Sequence, residues 1–421
     1  MNFEEYLKAA EAGDPAAQNM VGNYYYNGKT VPKDLKRAFY WYAEASAGGS
    51  LQGKANLAYC YLYGNGTVKN PRYAAELFTE LAAAKNASGY FYLGICYRDG
   101  RGVRRNGDEA YKYFRLAHES GRTDGTLRLG DCYSDGIGVE VDDVMASDLY
   151  EIAAERGNAE AQNKIGWAYS NGSGRLTDHG KAFAWYQKSA EQGYTIAYYN
   201  LGDAYLRGSG VAQSLHTAAA YFTKAAEKGY APAQVQLGHF YSKGVGGLTK
   251  SDARAAEWYT KAAQSGDPEG QYFIGIAYLY GDGVTRNEQQ GVIWLTQAAR
   301  QGHTESQYAL AVCYYQGRGI AKGYGEAVKW FTYAAQSGHA EAQYDLGVCY
   351  KNGEGVMKSY AKAAEWFEKA AKQGHVNAMH NIGVCYLDGK GVPRDRARGI
   401  RWISRAADRG DELSIEVLND L

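Results

Sequence analysis

Apolar and polar positions along the chain recur with the spacing of amphipathic helices, and the pattern repeats every 36 residues. Each repeat holds two amphipathic segments of about a dozen residues, which are too long and too clearly 3.6-periodic to be strands. The first segment carries an aliphatic residue, then Gly or Ala, and then an aromatic residue three positions later. We call the Gly or Ala the anchor and count positions from it. The anchors are residues 22, 58, 94, 130, 166, 202, 238, 275, 311, 347 and 383.

The second segment carries its own aromatic position, which holds seven of the eight tryptophans and falls at residues 41, 77, 113, 149, 185, 221, 258, 294, 330, 366 and 402. Glycine-rich sequences such as 353–356 follow the first segment, where Gly supplies the left-handed residue after a helix. Sequences 13–15 and 266–268 read Gly-Asp-Pro, which is typical of a helix end followed by an N-cap and a first-turn proline. One step between anchors is 37 residues, and we expect its extra residue in the loop after Tyr241. The repeat unit is therefore predicted to be a helical hairpin.

Positions −5, −1, +2 and +3 fall within an arc of about 100° on a helix, so we expect them to form the core. Position −5 is always small, position −1 is always aliphatic and position +3 is always Tyr. Positions −6, −3, +1 and +4 share the opposite arc. Their residues vary between repeats, as expected for a surface that is free to specialise.

This pattern resembles the Sel1-like repeat family, which is related to the tetratricopeptide repeats. The family pattern stands almost intact in AEAQYDLGVCYKNGEGV and KAAEWFEKAAKQG, within residues 340–374, and the resemblance covers nearly the whole chain. It implies an all-α fold, a right-handed α-solenoid of about eleven 36-residue helix-turn-helix repeats. It also implies an adaptor, scaffold or recognition module. Bacterial members resemble signalling regulators, host-interaction factors or immunity proteins.

We expect one solenoid over residues 1–421, with a capping helix at 1–13, repeats at 14–410 and a second capping helix at 411–421. Terminal half-repeats of this kind shield the core of an array from water. The second repeat departs most from the pattern, with Ala58 at the anchor, Leu77 at the tryptophan position and Lys85 in place of the closing Gly. Local irregularity is expected at its edges.

Charge and hydropathy exclude several classes of partner. The 46 basic and 46 acidic side chains cancel, so no global field attracts nucleic acid or an anionic membrane. The N-terminus is acidic where a secretory signal would be basic, and no apolar run of roughly 18 residues occurs. We therefore expect a cytoplasmic protein without nucleic-acid or membrane partners.

The residues that could carry chemistry have simpler structural explanations. All six cysteines share position +2, at 60, 96, 132, 313, 349 and 385. Equivalent positions in adjacent repeats lie about 8–10 Å apart, too far for a disulfide or zinc, so small core residues are indicated. His303, His339 and His375 also recur at the repeat period, which favours a polar role at helix starts over a metal cluster.

One tetrad, Ser359 to Lys362, matches the S-x-x-K motif of penicillin-recognising enzymes. Lys362 falls where Lys181 and Arg37 fall in other repeats, and no S-D-N or K-T-G sequence follows. The repeated G-x-G sequences follow no strand, as a phosphate-binding fingerprint would require. We predict no catalytic residue, no metal site and no cofactor.

The variable arc contains the candidate binding residues. Over three repeats it forms an aromatic and aliphatic strip, here called the C-terminal strip: Tyr272, Ile276, Leu279, Tyr308, Val312, Tyr315, Tyr344, Val348 and Lys351. Apolar strips of that extent usually mark binding sites. Glu269, Glu305 and Glu341 line one edge, so a peptide with apolar anchors and a basic flank would complement it. A second candidate, here called the central cluster, comprises Asp131, Trp167, Tyr199 and Asp203.

A bland alternative stays open for both surfaces, in which the +1 aliphatic residues pack between repeats and the tyrosines cover them. The favoured function is a non-enzymatic scaffold or adaptor that binds a peptide or partner protein on the concave face of the solenoid. An immunity or inhibitor protein that wraps a toxin or effector is the main alternative. An enzyme that uses the S-x-x-K tetrad is a less favoured one. The sequence leaves the partner, the process and the oligomeric state open.

Overall fold

A computed structural model describes residues 2–420, and within that range it contains 24 helices and no strand. The helices are α1 (Phe3–Glu11), α2 (Pro15–Asn27), α3 (Leu35–Ala47), α4 (Leu51–Tyr63), α5 (Pro71–Ala83), α6 (Ala87–Asp99), α7 (Gly107–Glu119), α8 (Thr123–Asp135), α9 (Asp143–Glu155), α10 (Ala159–Asn171), α11 (His179–Glu191), α12 (Thr195–Arg207), α13 (Leu215–Glu227), α14 (Ala231–Lys243), α15 (Asp252–Gln264), α16 (Pro268–Tyr280), α17 (Glu288–Arg300), α18 (Thr304–Gln316), α19 (Tyr324–Gln336), α20 (Ala340–Asn352), α21 (Tyr360–Lys372), α22 (Val376–Asp388), α23 (Arg396–Ala407) and α24 (Glu412–Asn419).

The all-α repeat fold expected from the sequence is confirmed. Even-numbered helices α2 to α22 carry the anchors and are the first helices of the eleven hairpins, and each is followed by an odd-numbered second helix. The short helices α1 and α24 occupy the places where the sequence predicts a lone second and a lone first helix.

Helix ends follow the predicted turn chemistry. Asp14 and Asp267 are N-caps ahead of a first-turn proline, and their carboxylates accept backbone N–H groups of α2 and α16. Gly353 ends α20 in the left-handed region, with φ 82°. The expected irregularity of the second repeat does not occur in the helices, because α4 and α5 have the usual 13 residues. Lys85 takes the turn conformation of its glycine equivalents, with φ 53°.

The core is formed as predicted at positions −5 and −1, which are buried in every repeat. The core prediction at position +3 holds for Tyr25, Tyr169 and Tyr386 and is wrong for the other eight tyrosines, which are half-buried. Cationic side chains of the second helix lie over the rings of several position +3 tyrosines. Lys181 lies 5.1 Å from the ring of Tyr169, and Lys362 lies 5.1 Å from the ring of Tyr350.

The large core side chain of each second helix directly follows its tryptophan position. Phe331 and Phe367, for example, are almost fully buried, whereas Trp330 and Trp366 are half-buried. A Cβ at Gly347 would come within 2.6 Å of the Phe367 ring, so the anchor lacks a side chain because the aromatic ring fills that space.

Buried glutamines at position −4 connect successive hairpins. Gln307 and Gln343 each donate a side-chain hydrogen bond to the carbonyl eight residues earlier, at the end of the preceding second helix. The Oε1 atom of Gln343 in turn accepts from Gln373, at 2.8 Å. The Oε1 atom of Gln307 is buried without a partner in the described chain, because the equivalent residue is the shorter Ser337.

The helices group into two compact units, which are described separately below. The first comprises Met1–Ala204 and Gly208–Ala212, and the second comprises Tyr205–Arg207 and Gln213–Leu421. Among residues 2–420, no helix combines the length and the apolar character needed to cross a membrane.

Candidate protein-binding surface

The C-terminal strip lies entirely within the second unit, on α16, α18 and α20. Leu279 is only 3% exposed and belongs to a core cluster, so its assignment to the binding strip is wrong. Lys351 is exposed, and the other seven members are half-buried. Part of this burial comes from contacts between repeats, as expected from the alternative in which these residues pack between repeats.

Each strip tyrosine at position −3 packs against the N-cap histidine of the next first helix. The ring centroids are 5.3 Å apart for Tyr272 and His303 and 4.5 Å apart for Tyr308 and His339. The third pair, Tyr344 and His375, is also separated by 4.5 Å. These ring contacts, two stacked and one tilted, restrict the three tyrosine rings in the unbound protein.

The histidines explain the recurrence seen in the sequence. The Nδ1 atoms of His339 and His375 accept the backbone N–H groups of Ala342 and Ala378, both at 3.2 Å, and thereby cap α20 and α22. The predicted polar role at helix starts is confirmed. Burial lowers the pKa of His303 and His375, which keeps these rings neutral near pH 7.

A cavity of about 200 Å³ opens in the middle of the strip. Its walls combine strip residues with residues of the hairpin behind them: Tyr308, Val312, Tyr315, Gln316, Phe331, Asp345 and Val348. Phe331 is buried at the base, whereas the tyrosines and valines are half-buried. The strip therefore contains a recess for one side chain.

Asp345 is the polar group of this recess, and sequence reasoning missed it. The Tyr308 hydroxyl donates a hydrogen bond to its Oδ2 atom at 3.2 Å. Burial raises the pKa of Asp345 to about 6, with a smaller contribution from Glu341 that is opposed by Tyr308 and His339. A carboxylate in this environment is ionised at pH 7 but poorly solvated.

Position −2 was not among the positions that the sequence analysis assigned to the variable arc. Its variation between repeats could nevertheless have indicated it as a candidate binding position. It differs widely among the eleven repeats: Met20, Asn56, Tyr92, Arg128, Lys164, Asn200, Gln236, Phe273, Ala309, Asp345 and Asn381. Asp345 contacts the −3 residue of the preceding repeat, and Asn56 does the same by donating to Asn19 at 2.8 Å.

Three glutamates contact residues of the strip or its capping histidines. The Tyr315 hydroxyl donates to Oε2 of Glu354 at 2.8 Å, and this hydrogen bond raises the pKa of Tyr315. Glu305 and Glu341 are exposed, and their carboxylates lie 3.2 and 3.5 Å from nitrogens of His339. This edge of the strip is therefore acidic, as the sequence predicts.

The central cluster lies in the first unit, where its members have different environments. Trp167 is 53% exposed and lines a cavity of about 220 Å³ together with Lys164 and Tyr150. Tyr199 and Asp203 are half-buried. Asp131 is buried and bonded to Arg128 at 2.6 Å, so its charge is already balanced within the protein.

Two further residues complete the network around Asp131. The Lys164 ammonium lies 3.0 Å from its Oδ1 atom, and the Tyr150 hydroxyl donates to the same atom at 3.1 Å. The Arg128 guanidinium also binds both oxygens of Glu160, at 2.9 and 2.7 Å. Only Trp167 in this cluster presents a large uncommitted surface.

The residues of the S-x-x-K tetrad have a structural role. Ser359 is the N-cap of α21, where its Oγ atom accepts the backbone N–H of Lys362 at 3.3 Å. The Lys362 side chain instead lies over Tyr350. Five of the cysteines are buried and Cys385 is half-buried, so the core interpretation is confirmed for these five, and burial raises the pKa of Cys60 to about 12.

Known structures provide an independent comparison. The protective antigen c5321 of uropathogenic Escherichia coli, which displays an SLR fold, is 34% identical over 98% of this chain and 88% of its own, with a TM-score of 0.69. A Sel1 repeat protein from Oxalobacter formigenes is 29% identical over 75% of this chain and 94% of its own, with a TM-score of 0.56.

An immunity protein from Pseudomonas aeruginosa is 21% identical over 56% of this chain and 84% of its own, with a TM-score of 0.34, which is too low to bear on function. The sequence model of the Sel1 repeat family matches eleven segments: 15–50, 52–86, 87–121, 123–158, 159–194, 195–230, 231–267, 268–303, 304–339, 340–375 and 376–411. These segments coincide with the helical hairpins. The chain therefore belongs to the Sel1 repeat family, whose members generally mediate interactions between proteins.

Proposed function

We propose that this protein is a non-enzymatic scaffold or adaptor that binds a peptide segment of a partner protein along the C-terminal strip. The observation that carries the proposal is the row of three tyrosines packed against capping histidines, on three successive first helices. Tyrosines offer a large contact area and a polar tip, and rings that are already ordered lose little entropy on binding.

The spacing of the strip suits an extended segment. Successive tyrosines belong to successive repeats, so a partner must cross at least three first helices to contact all of them. The recess beside Tyr308 would accept one side chain of that segment. Likeness to bacterial Sel1 repeat proteins supports a bacterial role, and the six unpaired cysteines suit a reducing cytoplasm.

The test uses the protein as bait in its native lysate, beside a variant with Tyr272→Ala, Tyr308→Ala and Tyr344→Ala. A matched control removes three exposed tyrosines of the second unit that lie outside the strip, through Tyr280→Ala, Tyr333→Ala and Tyr360→Ala. Circular dichroism establishes that all three proteins are folded.

We expect the wild type and the control to capture the same partner and the strip variant to lose it. Equal capture by all three proteins would reject the strip as the binding surface. A further variant, Trp167→Ala, would then test the exposed tryptophan of the central cluster.

A further inference from the structure

Asp345 differs from Asp99 and Asp131 in how its charge is balanced. Asp99 and Asp131 have arginine nitrogens at 2.7 and 2.6 Å. The only hydrogen bond to the Asp345 carboxylate comes from the neutral Tyr308 hydroxyl, and within residues 2–420 no lysine or arginine forms an ion pair with it. A poorly solvated carboxylate without a cation is energetically costly, and a cationic ligand would remove that cost.

The walls of the cavity suit the same kind of ligand. Tyr308, Tyr315 and Phe331 place three aromatic rings around the recess, and the face of an aromatic ring attracts a cation. Val312 and Val348 provide apolar surface for an alkyl stem. The combination of an apolar wall, aromatic faces and one carboxylate matches a lysine or arginine side chain.

We infer that the cavity at Asp345 is a recognition pocket for a basic side chain of the bound peptide, an inference that rests on the proposed function. The ammonium or guanidinium group pairs with Asp345 between the rings of Tyr308 and Tyr315. The methylene stem lies against the two valines. The strip thus selects peptides in which a lysine or arginine occupies this place.

Charge around the pocket supports a cation over an anion. The lining contains no lysine or arginine, Glu354 is hydrogen-bonded to the lining residue Tyr315, and Glu305 and Glu341 lie beside His339, which stacks on Tyr308. Lys351 is the one basic member of the strip, and it lies outside the cavity lining. An acidic or phosphorylated side chain would meet repulsion here without a compensating contact.

The probe is a set of fluorescein-labelled heptapeptide pools with randomised flanks and a fixed central residue: Lys, Arg, norleucine or Glu. Norleucine keeps the alkyl stem of lysine and removes the charge. Binding is measured by fluorescence anisotropy on the full chain, its Asp345→Asn variant and the strip variant with three tyrosines replaced. Asn occupies the equivalent place at Asn381, so the fold tolerates this side chain.

We expect the Lys and Arg pools to bind the wild type at least tenfold more tightly than the norleucine pool, and Asp345→Asn to abolish that preference. A matched control, Glu305→Gln, removes an exposed charge at the same edge and should change the preference less than twofold. The preference should also decline below pH 6 as Asp345 takes up a proton; the groups that act on its carboxylate are Tyr308, Glu341 and His339.

Three results would overturn the inference. The first is equal binding of the Lys and norleucine pools to the wild type, with both lost in the strip variant; this result leaves the proposed function intact. The second is a preference for Lys that survives Asp345→Asn. The third is binding of no pool to any protein, which counts against the proposed function as well.

Discussion

Asp131 and Asp345 are aspartates on first helices, yet one is neutralised within the protein and the other is not. Asp131 is bonded to Arg128, Lys164 and Tyr150 at 2.6 to 3.1 Å. Asp345 accepts one hydrogen bond, from Tyr308 at 3.2 Å. One carboxylate therefore takes part in an internal ion-pair network, whereas the other forms no ion pair with a lysine or arginine among residues 2–420.

The difference has a local origin in the sequence. In the central region the acid is at position +1, and bases occupy position −2 of the same repeat and of the next, at Arg128 and Lys164. In the C-terminal strip the acid itself is at position −2, and its neighbours there are Ala309 and Asn381. Position −2 thus decides whether charge is balanced inside the array.

The largest expected effect comes from opening the central network. Arg128→Met leaves Asp131 and Glu160 with less compensation, and we expect a loss of about 2 kcal/mol in the free energy of unfolding, reduced from the value for full burial because the site is partly exposed. Urea unfolding followed by circular dichroism at pH 7.5 measures it. Arg72→Met is the control, since Arg72 and Glu76 form an exposed pair. Equal losses in the two variants would show that the Asp131 network contributes no special stability.

A smaller effect, of opposite sign at the two sites, follows from replacing each carboxylate by an amide. The pKa of Asp345 is raised, so its ionisation lowers stability, fully above pH 6 and not at all below pH 3.8. Asp345→Asn should therefore increase the free energy of unfolding by about 1 kcal/mol at pH 7.5, and the gain should vanish near pH 4.

Asp131→Asn should instead decrease stability at pH 7.5 by about 1 kcal/mol, because Arg128 and Lys164 lose a charged partner. Differential scanning calorimetry from pH 4 to 8 compares both variants with the wild type. Changes of the same sign at pH 7.5 would contradict the distinction between the two aspartates.

The smallest effect tests a local difference within the scaffold, because Gln307 lacks a hydrogen bond that its equivalents in both regions make. Gln192 donates to Gln162 at 2.8 Å in the central region, whereas Gln307 below the strip faces Ser337 and leaves its Oε1 atom without a bond. Ser337→Gln should supply that bond and add about 0.5 kcal/mol to the free energy of unfolding. Gln373→Ser should remove the equivalent bond and cost a similar amount. The urea midpoints of both variants measure the effect, and movement of both in one direction would contradict the assignment.

Much of the fold could be predicted because the same residue pattern recurs in every repeat. Position −1, the small residues at −5 and the glycine turns all follow from the geometry of a single helix. The burial of Leu279 and the half-burial of most +3 tyrosines could not be read in this way, because both depend on neighbouring helices. The position of a residue on the helical arc predicts which face of its own helix it occupies. It does not predict how the next helix packs against that face.

Part of the candidate site could also be predicted from the sequence. The periodicity placed Tyr308, Val312 and Tyr315 on one face, and the structure brings them to one cavity. Asp345 was missed because its role depends on contact with Tyr308 of the preceding repeat, 37 residues earlier. The recurrence of His339 was visible, but the stack on Tyr308 depends on the same contact between repeats.

The cavity at Asp345 is formed by residues of two consecutive repeats. This arrangement restricts which insertions and duplications of repeats would preserve the cavity. Tyr308, Val312 and Tyr315 come from the segment 304–339, whereas Asp345 and Val348 come from the segment 340–375. Insertion of an unrelated repeat between these segments would separate the aromatic wall from the carboxylate and erase the pocket. Duplication of the two segments as a pair would instead copy it whole. The proposed recognition pocket is therefore inherited as a junction between two repeats and not as a single repeat.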